Sequence, residues 1–139
     1  MSSNPTILIV EDDVMIADYL EETLREAGFD VCGIARNVAE AVALAQVHHP
    51  ALSVVDLRLS NGEYGTKVAA ALCEQGNIGI LYATGNSHHP LLDDAVGQGC
   101  ITKPYTGDGI VAAITIVAER MAHAVQLSAF PAGFRLLNA

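Results

Sequence analysis

Five short apolar runs alternate with segments of helical periodicity, and this alternation restricts the folds that the chain can adopt. The runs are TILIV (6–10), FDVCGIA (29–35), ALSVVD (51–56), IGILYA (78–83) and CIT (100–102). They are continuous rather than strictly alternating with polar residues, which is typical of strands covered on both faces. A repeated strand–helix order predicts an α/β fold: five parallel strands with right-handed crossovers and helices on both faces.

The predicted helices lie between and after these strands. They cover about residues 13–27, 38–48, 65–74, 91–96 and 108–124. Gly28 ends the first helix, and Pro50 follows the second. The fourth helix is flanked by glycine and proline, so its pattern is the weakest of the five.

Charge and composition exclude several functional classes. Sixteen acidic and seven basic residues give a net charge of −9, which disfavours direct binding to nucleic acid. The N-terminus has no cationic and apolar leader, and no apolar run approaches roughly 18 residues, so we expect a cytoplasmic protein without a membrane segment. Three well-separated cysteines argue against a disulfide framework or a zinc site.

Polar residues follow the predicted strands at the edge of the sheet where doubly wound folds carry their sites. They are Glu11, Asp12, Asp13, Asp56, Thr84 and Lys103. Two carboxylates 4 Å apart repel by about 4 kcal/mol at an effective dielectric near 20, so such a cluster requires a cation. Oxygen ligands of this kind suit Mg²⁺.

Asp56 stands alone at the end of the third strand, where a carboxylate can act as a nucleophile and form an aspartyl phosphate. Mg²⁺ and Lys103 would offset the charge on the transferring oxygens. The hydroxyl of Thr84 would donate a hydrogen bond to one of them.

Four motifs together resemble the receiver domain of two-component response regulators. They are VEDD (10–13), VVDLRL (54–59), ATGN (83–86) and TKP (102–104). Their order and approximate spacing match the family over about residues 5–122. The resemblance implies a flavodoxin-like sheet of order 2-1-3-4-5. It also implies a receiver domain at 5–122, followed by a C-terminal tail at 123–139 without an effector domain.

The resemblance implies a role for each matching residue. Asp56 would be the phosphoacceptor, and Glu11 and Asp12 would bind the metal together with it. The backbone carbonyl of Arg58 would supply a further metal ligand.

Further roles follow from the fourth and fifth strands. Thr84 resembles the family's switch hydroxyl, and Lys103 resembles its lysine, which precedes a cis bond to Pro104. Arg58 stands two residues after the phosphoacceptor and Asn86 two residues after the threonine, and the resemblance implies that side chains at these positions border the path of attacking water.

The sequence departs from the usual pattern at Cys100, where many receivers carry the tyrosine or phenylalanine of a rotating switch. YATGN (82–86) resembles the FATGUY subclass, in which this aromatic residue is missing. The interval between Thr84 and Lys103 is shorter than in typical receivers, so we expect a short or mobile fourth helix. We also expect residues 85–99 to become more ordered on phosphorylation.

The resemblance implies a stand-alone receiver that accepts a phosphoryl group from a sensor histidine kinase or histidine phosphotransfer protein. It would catalyse only its own phosphorylation and dephosphorylation, and it would switch the binding of a downstream protein. One alternative is a pseudo-receiver that is never phosphorylated. Another is a Mg²⁺-dependent aspartyl phosphatase, although Arg58 occupies the position of that enzyme's second aspartate.

Two other features have less specific interpretations. Both histidine pairs, His48–His49 and His88–His89, adjoin prolines in predicted loops, which favours solvated loop residues. The outer face of the fifth helix carries hardly any charge. It predicts a protein partner, a homodimer, or cover by the tail through Phe130, Phe134, Leu136 and Leu137.

Overall fold

The computed structural model describes residues 5–123 and 129–137. The strands are β1 (Thr6–Val10), β2 (Asp30–Ala35), β3 (Leu52–Asp56), β4 (Gly79–Thr84), β5 (Gly99–Thr102) and β6 (Phe134–Leu136). The α-helices are α1 (Val14–Glu26), α2 (Val38–His48), α3 (Gly65–Cys73) and α4 (Gly107–Met121). Among the described helices, none combines the length and apolar character needed to cross a bilayer.

The sheet has the strand order β2-β1-β3-β4-β5-β6, and the first five strands are parallel. The predicted order of these five strands is therefore confirmed. The sixth strand was not predicted: β6 lies antiparallel to β5 and pairs Arg135 with Cys100. The tail thus continues the sheet instead of only covering a helix.

Two apolar cores occupy opposite faces of the sheet. Leu8 and Val10 point to the face covered by α2 and α3. Ile7 and Ile9 point to the face covered by α1 and α4. Because successive strand residues alternate between two buried faces, the strands are continuously apolar.

The expected shortening of the fourth helix is confirmed, because the segment forms only a 3₁₀ turn at Pro90–Leu92. Leu92 is nevertheless buried, and the Tyr82 hydroxyl donates a hydrogen bond to the Val96 carbonyl at 2.6 Å. The Ile80 N–H donates to Gln98 Oε1 at 2.8 Å. These contacts attach the segment to β4 without a regular helix.

The last helix, α4, ends at Met121, before the predicted end at Ala124, which lies outside the described residues. Phe134 of β6 joins the core on the α4 side of the sheet, and Leu137 joins the opposite core. The tail therefore covers the edge of β5, while Val111 on α4 remains partly exposed.

Candidate functional site

The turn between β1 and α1 presents two acidic side chains at the edge of the sheet. Asp13 caps α1, because its Oδ1 accepts hydrogen bonds from the N–H groups of Met15 at 3.0 Å and Ile16 at 3.1 Å. Asp13 is therefore the N-cap of α1, and the carboxylates of Glu11 and Asp12 belong to the acidic site.

Three carboxylates converge where β1 and β3 end. Carboxylate oxygens of Glu11, Asp12 and Asp56 lie within 4.8 Å of one another. Glu11 is 4% exposed, whereas Asp12 lies nearer the surface and accepts a hydrogen bond from the Ser60 N–H. A compact set of oxygen donors with three negative charges fits Mg²⁺, which prefers such ligands and keeps several waters.

Lys103 neutralises part of this charge. Its Nζ lies 3.1 Å from Glu11 Oε1 and 3.2 Å from Asp56 Oδ1. The Lys103 N–H donates to the Thr84 carbonyl at 2.8 Å, which fixes the lysine beside β4, and its bond to Pro104 is cis. The fold therefore brings together residues that are 92 positions apart in sequence.

Burial shifts the pKa values of the site residues in one direction, and neighbouring charges or hydrogen bonds shift them in the other. Burial and the nearby Asp56 raise the pKa of Glu11, and Lys103 only partly offsets them. Burial alone would lower the pKa of Lys103, but attraction to Asp56 and Glu11 outweighs it and raises that pKa. Burial would raise the pKa of Asp12, but hydrogen bonds from Ser60 outweigh it and lower that pKa.

A cavity of about 300 Å³ opens beside Asp56. It is lined by Asp56, Arg58, Thr84, Gly85, Asn86, His89 and Lys103. The buried hydroxyl of Thr84 accepts a hydrogen bond from the Asn86 N–H at 3.0 Å. Arg58, Thr84 and Asn86 thus border the space beside Asp56, whereas the metal-binding role of the Arg58 carbonyl stays a prediction.

Cys100 occupies the position of the missing aromatic residue and is fully buried. Burial raises the pKa of its thiol although Arg135 acts against this. Arg135 Nε and Nη2 donate to the Ser87 carbonyl at 3.1 and 2.7 Å, so β6 contacts the loop that follows Thr84. The sequence pattern predicts no role for Arg135, which is a lone cation in an apolar tail.

His89 also differs from its sequence interpretation. It lies in a loop, as predicted, but it is half-buried rather than freely solvated. Its Nε2 lies 3.1 Å from Arg58 Nη2, and its Nδ1 accepts a hydrogen bond from the Leu91 N–H at 3.1 Å. Sequence spacing did not reveal this contact, because the histidine and the arginine belong to different loops.

Removal of the metal is expected to lower the melting temperature. At a Mg²⁺ concentration about ten times Kd, binding to the folded state contributes about 1.4 kcal/mol. For a domain of this size that corresponds to a Tm rise of roughly 4 °C. The Asp12→Asn variant should show no increase in Tm with Mg²⁺. The Asp18→Asn variant, which changes an exposed residue on α1, should show the same increase as wild type. Thermal unfolding with Mg²⁺ or EDTA measures the difference, and an equal rise in both variants would contradict the metal assignment.

Lys103→Met is expected to destabilise the metal-free fold by about 2 kcal/mol at pH 8. A fully buried pair would cost roughly 3–5 kcal/mol, and the Lys103 side chain is 24% exposed. Burial raises the folded-state pKa of Glu11, so the folded variant binds a proton more tightly than the unfolded chain. Its stability is therefore greatest below the unfolded pKa and falls as pH rises through the folded pKa.

Urea unfolding at pH 5 and pH 8 measures this effect. The loss relative to wild type should be larger at pH 8, and Lys67→Met, at an exposed position, should cost little at either pH. Equal losses at both pH values would show that Glu11 does not depend on Lys103 for neutralisation.

The fold and the acidic site define a signalling class. Residues 7–115 match the family described as the response regulator receiver domain, and the chain belongs to this family. It is 30% identical over 117 residues to the transcriptional regulatory protein PdtaR of Mycobacterium tuberculosis, covering 82% of this chain and 57% of PdtaR. It is 32% identical to the acid tolerance regulatory protein ActR of Rhizobium meliloti, covering 78% and 57% of the two chains. This chain thus spans little more than half the length of these relatives.

Solved structures show the same fold. The signal receiver domain of a modulated diguanylate cyclase from Desulfovibrio desulfuricans G20 has a TM-score of 0.76 and 27% identity. The match covers 87% of this chain and 98% of that one. A response regulator from Burkholderia pseudomallei, which contains a phosphorylated aspartic acid and a calcium ion, has a TM-score of 0.69 and 28% identity. That match covers 86% of this chain and 72% of that one.

Proposed function

We propose that this chain is a phosphorelay receiver that accepts a phosphoryl group from a phosphohistidine onto Asp56. The observation that carries the proposal is the position of Asp56. Its carboxylate lies 3.2 Å from Lys103 Nζ, within 4.8 Å of two further acidic ligands, and beside a cavity of about 300 Å³. The phosphorylated aspartic acid of the similar Burkholderia pseudomallei regulator supports the same chemistry.

The transfer is a substitution at phosphorus. An Asp56 carboxylate oxygen forms a bond to phosphorus, the bond from phosphorus to the donor imidazole nitrogen breaks, and the electron pair leaves with that nitrogen. Lys103 holds its positive charge beside the attacking carboxylate. Glu11, Asp12 and Asp56 would hold Mg²⁺, which would supply positive charge to offset that of the phosphoryl oxygens.

The phosphoryl group adds roughly −1.5 to −2 charge and new acceptor oxygens. The Thr84 hydroxyl then leaves its contact with Asn86 and donates to one of these oxygens. Cys100 provides no ring to follow the threonine, which agrees with assignment to the FATGUY subclass. The loop movement reaches Ser87, whose carbonyl is bound by Arg135 of β6, so the partner surface includes the β5–β6 edge.

The phosphoryl donor, the output partner and the cellular location complete the proposed function. The donor is a sensor histidine kinase or a histidine phosphotransfer protein, and the output is a protein rather than nucleic acid, because the chain carries a net charge of −9. The protein acts in the cytoplasm and catalyses only its own phosphorylation and dephosphorylation. The partner can also be a second copy of this chain bound through α4, because Val111 on this helix is apolar and partly exposed.

Phosphotransfer from purified donors tests the proposal. Radiolabelled sensor kinases and phosphotransfer proteins are mixed with the chain, and at least one cognate donor should lose its label to the chain within seconds. Failure of all donors, together with failure of acetyl phosphate, would favour a pseudo-receiver. Turnover of a phosphomonoester with release of inorganic phosphate would favour the aspartyl phosphatase.

A further inference from the structure

Two side chains from different loops meet at the mouth of the Asp56 cavity. Arg58 Nη2, from the loop after β3, lies 3.1 Å from Nε2 of His89, from the loop after β4. Both residues line the cavity together with Asp56 and Lys103. Arg58 is exposed, whereas the side chains of Asp56 and Lys103 are 13% and 24% exposed. The pair therefore lies on the outer side of the cavity, and Asp56 lies at its base.

The contact between Arg58 and His89 depends on the tautomer of the imidazole, and the hydrogen bond from the Leu91 N–H favours the tautomer with its proton on Nε2. In this tautomer Nδ1 carries no hydrogen and accepts the hydrogen bond from the Leu91 N–H at 3.1 Å. The one N–H of the neutral imidazole is then on Nε2. Arg58 Nη2 is also only a donor. Two donors that face each other cannot satisfy one another, but both can donate to an anionic oxygen placed beside them.

We propose that His89 binds the phosphoryl group of phosphorylated Asp56 through its Nε2–H, together with the guanidinium of Arg58. This inference rests on the proposed phosphorylation of Asp56. The acyl phosphate supplies the acceptor oxygens that the donor pair requires, and hydrogen bonds to an ionised acceptor are the stronger kind. His89 is thus a phosphoryl-binding residue that the sequence motifs do not include.

This contact protects the acyl phosphate from hydrolysis. In hydrolysis a water oxygen forms a bond to phosphorus, and the bond to the Asp56 oxygen breaks with its electron pair returning to the carboxylate. The entering and leaving oxygens lie roughly in line, so the water approaches from the side opposite Asp56. That side is the mouth of the cavity, where Arg58 and His89 hold the outer oxygens and occupy the path.

Four variants of the full chain separate the hydrogen bond from other effects. His89→Gln places an amide N–H near the position of Nε2, whereas His89→Asn ends near the position of Nδ1. His89→Leu keeps bulk but has no donor. His88→Leu is the matched control, because His88 is an exposed neighbour on the same loop.

Each protein is labelled with acetyl phosphate and Mg²⁺, the donor is removed, and the loss of label is followed. Loss of the hydrogen-bond donor at residue 89 should shorten the half-life of the aspartyl phosphate about fivefold in His89→Leu and His89→Asn. The half-life of His89→Gln and His88→Leu should stay within about twofold of wild type. In wild type, the imidazole Nε2–H resonance of His89 should also shift when beryllofluoride is added as a phosphoryl mimic.

The outcomes distinguish this inference from the function on which it rests. If wild type is labelled and His89→Leu loses its label at the wild-type rate, the role of His89 is overturned. The receiver function is then unaffected. A shortening in His89→Gln as large as in His89→Leu, or an equal effect of His88→Leu, would also overturn it. If wild type takes up no label, the proposed function fails and the inference fails with it.

Discussion

Asp56→Asn is expected to abolish phosphoryl uptake while the protein remains folded. Asparagine keeps the size of the side chain but lacks the anionic oxygen that attacks phosphorus. The remaining acids are not expected to replace it, because Glu11 is 4% exposed and Asp12 accepts a hydrogen bond from the Ser60 N–H. The assay is incubation with acetyl phosphate and Mg²⁺, followed by intact-mass measurement.

An exposed aspartate in the segment that follows β4 provides a matched control. This residue is Asp93, and Asp93→Asn should gain one phosphoryl mass as wild type does. Equal labelling of Asp56→Asn and wild type would exclude Asp56 as the acceptor. A circular dichroism spectrum of Asp56→Asn confirms that absence of label does not reflect unfolding.

Gly65→Ala is expected to destabilise the fold by about 3 kcal/mol, which is typical of overpacking at a site without room to relax. A Cβ on Gly65 would collide with the backbone carbonyl of Asp56 and lie 2.9 Å from Val55 Cγ1. The Gly65 N–H also donates to the Leu57 carbonyl at 2.7 Å, so α3 cannot move away without losing this bond. Denaturant unfolding measures the loss.

Gly85→Ala is the control for this substitution. A Cβ on Gly85 meets no heavy atom within 4 Å, so the cost there should stay below about 1 kcal/mol. A loss for Gly65→Ala as small as that for Gly85→Ala would contradict the close approach of α3 to β3. Gly65 therefore links the packing of a helix to the position of the proposed phosphoacceptor.

The sequence predicted the central architecture because the relevant signals are local. Continuous apolar runs mark the strands that are buried on both faces. Strand order determines which ends meet, so the proximity of Glu11, Asp56 and Lys103 followed once that order was taken from the family resemblance.

The sequence did not predict features that depend on contacts between distant loops. The strand β6 has only three residues and no periodicity of its own, and its formation depends on the free edge of β5. Arg135 and His89 acquire their positions from such contacts. The segment after β4 likewise has little apolar pattern, yet tertiary packing buries Leu92.

Chemical mapping of the acceptor tests the central claim most directly. Wild type that has received a phosphoryl group from a phosphohistidine donor is treated with borohydride, which reduces an aspartyl phosphate to homoserine. Peptide mass spectrometry should then find homoserine at position 56 and an unmodified side chain at Glu11 and Asp12. Homoserine at another aspartate, or no reduced residue in a protein exposed to its cognate donor, would contradict the assignment of Asp56 as the phosphoacceptor.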